Sequence, residues 1–173
     1  MTKVLVTLTH DELARAAHAG LDRRLDAMKR GRSGRRHETL PDWKQSWFQT
    51  TVVGAFGEYA VCKAFDMLWN PTVGRIDATD AGAWEVRTTE RPSPKLRVRA
   101  GDDLSKNYIL ASYKKNQVLI QGWLPGKRVK ELGREEFDGV WTATVDELYS
   151  IVDLPGEVAF GDEVQIWASH RSV

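Results

Sequence analysis

The sequence predicts an α/β or α+β fold in a single domain. Two stretches with helical periodicity come first, and a mainly antiparallel run of short strand-like segments follows, separated by proline and glycine. The chain has 173 residues, which is enough for one domain with a core of its own. Hydrophobic residues make up 42% and charged residues 28%, as in ordinary globular proteins.

The N-terminal third predicts a strand, a helix and a loop. Residues 3–8 alternate apolar and polar side chains like a short strand, and Thr9 with Glu12 forms the sequence pattern of a capping box. Apolar residues then recur at helical spacing, so we expect a first helix to about Lys29. Residues 31–40 are polar, basic and contain glycine, which indicates an exposed loop.

The rest of the chain predicts a second helix followed by strands. The helix begins at Pro41-Asp42 and reaches roughly to Met67. Thr144 is expected to cap one or two helical turns within 145–151. The segments that we expect to be strands are 84–89, 96–99, 108–112, 118–124 and 164–167, with a short segment at 127–132.

Several classes of protein are excluded by the composition. Cys62 is the only cysteine, so neither an internal disulfide nor a cysteine-rich zinc site can form. No window approaches the roughly 18 apolar residues of a membrane span, and we expect a soluble protein of the cytoplasm. The seven tryptophans suit core and subunit contacts, which is compatible with a homo-oligomer or a larger complex.

Glu58 is the first candidate for chemistry, because it is the only charged residue between positions 50 and 62. Its helical neighbours are uncharged, and a lone carboxylate on such a face is costly unless it meets a cation or a metal. Gly54 and Gly57 lower helix propensity and are usually kept where another group approaches closely. The alternative is a surface glutamate at the margin of an amphipathic helix.

The second candidate is the segment that runs from Asp77 to Arg87. On a strand, Glu85 and Arg87 share one face, and Gly82 supplies a turn that folds Asp80 back beside Glu85. Two converging carboxylates are what a hard cation such as Mg²⁺ requires, and the cationic Arg87 can steady a phosphate there. The alternative is a hairpin with an ordinary surface pair of glutamate and arginine.

Together these features resemble the PD-(D/E)XK nuclease superfamily over about residues 54–123. The later strands, 108–112 and 118–124, resemble those of small phage and bacterial members. The resemblance implies a restriction-endonuclease-like core, with a mixed central sheet flanked by helices. It implies a Mg²⁺ (or Mn²⁺) site.

Carried over by position, the resemblance makes Asp80 and Glu85 metal ligands and Glu58 an auxiliary acid. Arg87 takes the place of the family's lysine, and Asp77 competes with Asp80 for the first role. Arginine stays protonated, so Arg87 can neutralise phosphate but cannot act as a base. Either the metal alone activates water, or the site has lost cleavage and kept binding.

Two other lysines are candidates to replace the missing one. Lys63 lies one turn or so beyond Glu58, and Lys95 lies in the following strand connection. The sequence does not decide between them and a site without a lysine.

The charge distribution favours a polyanionic partner although the formal net charge is only +1. Residues 131–163 are strongly acidic, whereas residues 23–36 hold seven basic residues against one acid. We expect the basic stretch to contact phosphates regardless of sequence, the alternative being a solvated charged face. The residues predicted to bind nucleic acid are Arg23, Arg24, Arg30, Arg32, Arg35 and Arg36.

The function expected from the sequence is hydrolysis of phosphodiester bonds in nucleic acid, with DNA as the expected substrate, by a metal-dependent nuclease. The alternative is a catalytically inactive protein of the same fold. Such a protein would bind nucleic acid or serve as a structural or interaction subunit, for instance of a phage.

Overall fold

A computed structural model describes residues 1–31, 47–71, 81, 83–137, 139–156, 159–162 and 164–168, with Trp47 described by its backbone only. These residues form a mixed α/β protein in which a five-stranded sheet separates two layers. Chain order is β1 (Thr2–Thr7), α1 (His10–Lys29), α2 (Trp47–Ala64), β2 (Trp84–Thr89), β3 (Lys95–Arg99), β4 (Asn107–Lys114), β5 (Gln117–Pro125), α3 (Gly126–Glu131), β6 (Glu135–Phe137), β7 (Val140–Thr144) and β8 (Gln165–Ala168).

The first helix begins where the capping box predicts. The Thr9 hydroxyl accepts from the backbone N–H of Glu12 at 3.3 Å, and the Glu12 carboxylate accepts from the backbone N–H of Thr9 at 2.7 Å. This reciprocal pair satisfies two N–H groups that a helix start leaves open. The predicted cap at Thr144 is also confirmed, where it precedes a short 3₁₀ turn with Glu147.

Helix α2 ends earlier than the sequence predicts. It stops at Ala64 rather than near Met67, because Asp66 adopts a left-handed conformation with φ of 49°. The backbone N–H of Met67 then bonds to the carbonyl of Cys62 at 2.8 Å and closes the turn. The predicted start of this helix, at Pro41-Asp42, lies outside the described residues.

The five-stranded sheet has the order β2-β4-β5-β1-β8 and is mixed. Strands β2 and β4 are parallel, whereas the β4–β5, β5–β1 and β1–β8 pairs are antiparallel. The four predicted strands from 84–89 to 118–124 are confirmed with small shifts at their ends, and the second of them, β3, belongs to a separate three-stranded sheet. Among the described strands, β2 lies at an edge of the five-stranded sheet.

Each face of this sheet is covered by a different layer. Helices α1 and α2 cover one face, over a core that includes Val4, Val6, Val86, Ile109 and Ile120. The other face carries α3 and a three-stranded sheet of order β3-β7-β6, over a smaller core that includes Leu96, Val98, Tyr108, Leu110 and Leu124. None of the helices in the described part of the chain combines the length and the apolar composition needed to span a bilayer.

Candidate functional site

Strand β2 presents its side chains to the two layers alternately, as the sequence predicts. Trp84 and Val86 are buried in the core beneath the helices. Glu85 and Arg87 therefore point to the opposite face, where Tyr108 of β4 lies directly across from Glu85 in the parallel register. The predicted shared face of Glu85 and Arg87 is confirmed.

A tight turn leads into β2. The backbone groups of Ala81 and Trp84 exchange two hydrogen bonds, of 3.2 and 3.0 Å, so the chain reverses directly before the strand. Asp77 and Asp80 lie outside the described residues. The pairing of Asp80 with Glu85 therefore stays a prediction.

Two cations hold the carboxylate of Glu85. Nζ of Lys106 lies 2.7 Å from its Oε1, and Nη1 of Arg87 lies 3.5 Å from its Oε2. Arg87 also bonds to Oδ2 of Asp102 at 3.0 Å, and its guanidinium lies over the Tyr108 ring, 5.0 Å from the centroid. The side chain of Arg87 is thus held by a carboxylate on each side and by an aromatic ring beneath it.

Tyr108 forms the floor of this cluster. Its hydroxyl donates to the backbone carbonyl of Asp103 at 2.9 Å. Burial, together with the charge of Asp102 and other nearby carboxylates, raises its pKa to about 12. The phenol is therefore protonated at neutral pH and serves as a fixed surface.

Lys106 is the residue that sequence reasoning missed. It directly precedes β4, and the parallel register sets Asn107 beside Trp84, which brings Lys106 to the start of β2. No local pattern reveals a parallel pairing between strands that are separated by another strand. Only that register identifies Lys106.

The two lysines proposed as substitutes have other partners. Nζ of Lys63 lies 2.9 Å from Glu12 and donates to the carbonyl of Thr7. Lys95 lies 3.9 Å from Glu136, on the three-stranded sheet. The lysine that lies beside Glu85 is Lys106.

Glu58 is buried, with 5% of its surface exposed, and it meets a cation as predicted. Nη1 of Arg23 lies 2.6 Å from its Oε1. Burial raises the pKa of Glu58, the Arg23 pair and the nearby Trp69 indole oppose that rise, and the charge of Glu85 adds to it. Oε2 of Glu58 and Nε1 of Trp69 are both buried, and neither has another hydrogen-bond partner among the described residues. The alternative of a surface glutamate is wrong.

Glu58 and Glu85 belong to different layers, although their charges interact. The helix that carries Glu58 packs on the face of β2 that holds Trp84 and Val86, and Glu85 projects from the other face. Within the described residues, no group of three or more histidine, cysteine, aspartate or glutamate side chains is arranged to hold a metal ion. The predicted ligand pair of Asp80 and Glu85, with Asp77 as the alternative to Asp80, stays a prediction because both aspartates lie outside the described residues.

The two glycines of α2 play different parts. A Cβ on Gly57 would lie 1.8 Å from the hydroxyl oxygen of Thr88, so the absence of a side chain lets α2 approach β2. A Cβ on Gly54 would meet nothing within 4 Å. The prediction of a close approach is confirmed at Gly57 and wrong at Gly54.

The basic residues predicted to bind nucleic acid are partly engaged within the protein. Arg23 is paired with Glu58, and Arg30 bonds to Asp26 of the same helix at 3.0 Å. The guanidinium of Arg24 lies 5.6 Å from the centroid of the Phe48 ring. Arg32, Arg35 and Arg36 lie outside the described residues.

Comparison with protein-family models, with curated proteins and with solved structures finds no match.

Proposed function

We propose that this protein is a metal-dependent nuclease that hydrolyses phosphodiester bonds, with DNA as the expected substrate. The observation that carries the proposal is the convergence of Glu85, Arg87 and Lys106 on one face of the edge strand β2. An acid, a fixed arginine and a lysine at one point are the groups that phosphodiester hydrolysis uses. Lys106 also supplies a lysine beside Glu85, where the motif has Arg87 in the position of the family's lysine.

Each of these residues has a distinct role in the proposal. Glu85, with Asp80, would hold Mg²⁺ or Mn²⁺, for which carboxylate oxygens are the preferred ligands. The metal would supply a Lewis acid and lower the pKa of a water molecule. Arg87, oriented by Asp102 and Tyr108, binds the phosphate, and its positive charge stabilises the charge that develops there.

Lys106 supplies a second cation beside Glu85. The Lys106 side chain is 22% exposed, and its ammonium lies 2.7 Å from Oε1 of Glu85. It can therefore orient a water molecule or contact the phosphate beside the metal ligand.

A second candidate is a non-catalytic protein that binds nucleic acid or acts as a structural subunit. It is favoured by the ion pairs of Glu85, whose two oxygens each face a cation. A metal ion must displace at least one of these contacts before it can bind. An ion-pair cluster that is complete without a metal suits a protein in which these charges have a structural role.

Cleavage assays on labelled single- and double-stranded DNA and RNA, with Mg²⁺, Mn²⁺ or EDTA, separate the two candidates. We expect cleavage only with metal, and a loss of about 100-fold or more in Glu85→Gln and in Lys106→Met. Lys127→Met, an exposed lysine on α3, is the matched control and should cleave normally. Thermal melting of each variant checks that the fold is retained.

The opposite result has a definite meaning. If neither the natural protein nor Arg87→Lys cleaves any substrate with either metal while nucleic acid still binds, the second candidate replaces the first. Binding through the basic helix should then weaken with salt, and Arg24→Gln and Arg30→Gln should each reduce the slope of log affinity against log salt by roughly one.

A further inference from the structure

A pocket of about 220 Å³ lies on the helical side of the molecule, away from the face that holds Glu85. It is formed where the first half of α1 meets the turn that follows α2. Arg15, Tyr59, Lys63, Asp66, Met67 and Trp69 contribute to its lining. Its volume is below that of pockets that enclose a whole drug-sized ligand, so a ligand of that size would be only partly enclosed.

Two aromatic rings shape the pocket. Tyr59 and Trp69 meet edge to face, with ring centroids 5.0 Å apart and planes at 64°. This arrangement is favourable for aromatic pairs and fixes both side chains. Met67 adds a polarizable thioether beside them. The lining is therefore suited to a flat, aromatic ligand.

The pocket lining has two cations, Arg15 and Lys63, and one acid, Asp66, among the described residues. The ammonium of Lys63 lies 2.9 Å from the Glu12 carboxylate. Within the described part of the chain, no residue forms an ion pair or hydrogen bond with the exposed guanidinium of Arg15. A guanidinium beside an aromatic surface is well suited to a phosphate attached to a planar ring.

We propose that this pocket binds one nucleotide unit, with its base against Tyr59 and Trp69 and its phosphate on Arg15. The unit is either a free nucleotide or an unpaired nucleotide of a strand. The proposal rests on the proposed function only for the choice of a nucleotide among planar aromatic anions. It requires neither metal nor cleavage.

Calorimetric titration of the full chain in EDTA tests the chemistry of the pocket. The probes are a deoxynucleoside monophosphate, the matching deoxynucleoside and inorganic phosphate. We expect the nucleotide to bind at least about tenfold more tightly than either part alone, because only the nucleotide contacts both the rings and Arg15. Arg15→Gln should weaken nucleotide binding by about tenfold and leave nucleoside binding unchanged. Arg128→Gln, a distant exposed arginine on α3, is the control.

A single-stranded oligonucleotide with a terminal 2-aminopurine distinguishes the two sources of the nucleotide. Quenching that is lost in Arg15→Gln and in Tyr59→Leu assigns the pocket to a strand, whereas binding of the mononucleotide alone assigns it to a free nucleotide. The proposal is overturned if neither the mononucleotide nor the oligonucleotide binds, or if Arg15→Gln binds them as tightly as the natural protein. Loss of cleavage in every assay with nucleotide binding intact overturns the nuclease and leaves this pocket in place.

Discussion

Each face of the five-stranded sheet has a carboxylate of the candidate site, and the two carboxylates differ in burial and in the number of cations that pair with them. On the helical face, the Glu58 side chain is 7% exposed and has Arg23 as its cation. On the opposite face, Glu85 has two cations, and its side chain is 14% exposed. Removing the cation from a buried charge is costly, whereas a charge that water can reach loses a partner at lower cost. The two carboxylates should therefore respond differently when a cation is removed.

The largest effect should come from removing the cation of each carboxylate in turn. Arg23→Met leaves Glu58 buried without its salt bridge and should lower the free energy of unfolding by about 3 kcal/mol or more at neutral pH. Arg87→Met leaves Glu85 paired with Lys106 but removes the contacts of Arg87 with Asp102 and the Tyr108 ring, and should cost about 1–2 kcal/mol. Urea denaturation of both variants measures the difference. Equal losses would remove the contrast between the faces.

The Arg23→Met loss should also depend on pH in a definite direction. Burial already raises the pKa of Glu58, and the variant loses the cation that opposes this rise. The folded-state pKa then lies above the unfolded value, so the carboxyl favours folding below about pH 4.5, and that contribution is lost as pH rises through the raised pKa. The difference in the free energy of unfolding between Arg23→Met and the natural protein should therefore be smaller at about pH 4 than at about pH 8.

A smaller effect sharpens the helical side of the comparison. Gly57→Ala places a Cβ against Thr88 and should destabilise the protein by roughly 2–3 kcal/mol, because both the hydroxyl oxygen and the Cβ of Thr88 lie too close. Gly54→Ala, in the same helix with open space around it, should instead stabilise by up to about 1 kcal/mol. Thermal melting compares the pair, and destabilisation by both would mean that α2 tolerates no side chain at either position.

The smallest effect concerns the three-stranded sheet on the other face. The hydrogen bonds from Arg97 of β3 lower the pKa of Glu136 on β6. Its folded-state pKa is thus below the unfolded value, so the pair stabilises above about pH 4.5 and the contribution is lost as pH falls. Glu136→Gln should cost about 0.5–1 kcal/mol at pH 7 and almost nothing in acid. Urea denaturation of Glu136→Gln and of the natural protein across that pH range measures this loss. A loss of unfolding free energy that does not vary with pH would mean that Glu136 contributes through packing rather than through its charge.

Local patterns predicted local structure well. The capping box at Thr9 and the alternation along β2 depend on neighbouring residues, and both are confirmed. Asp66 ended α2 early through a left-handed conformation, which non-glycine residues rarely adopt and which the apolar pattern did not reveal.

The partners of the candidate site depend on distant parts of the chain. Lys106 reaches Glu85 through the parallel pairing of β2 with β4, and Arg23 reaches Glu58 through helix packing. The sequence showed that Glu58 needed a cation but could not show which one. Asp80, the predicted second ligand, lies outside the described residues.

The position of β1 has a consequence for how the chain is made. Val4 of β1 pairs with Ile120 of β5 on one side and with Ile166 of β8 on the other. At about 5–20 residues per second, a ribosome takes roughly 6–23 s to travel from β1 to β5. For that time the apolar side of β1 has no sheet to join, and it is a hazard for aggregation between nascent chains. A pause in translation after β5 would let β4, β5 and β1 assemble before β8 arrives, so codon choice in this region should affect the yield of folded protein.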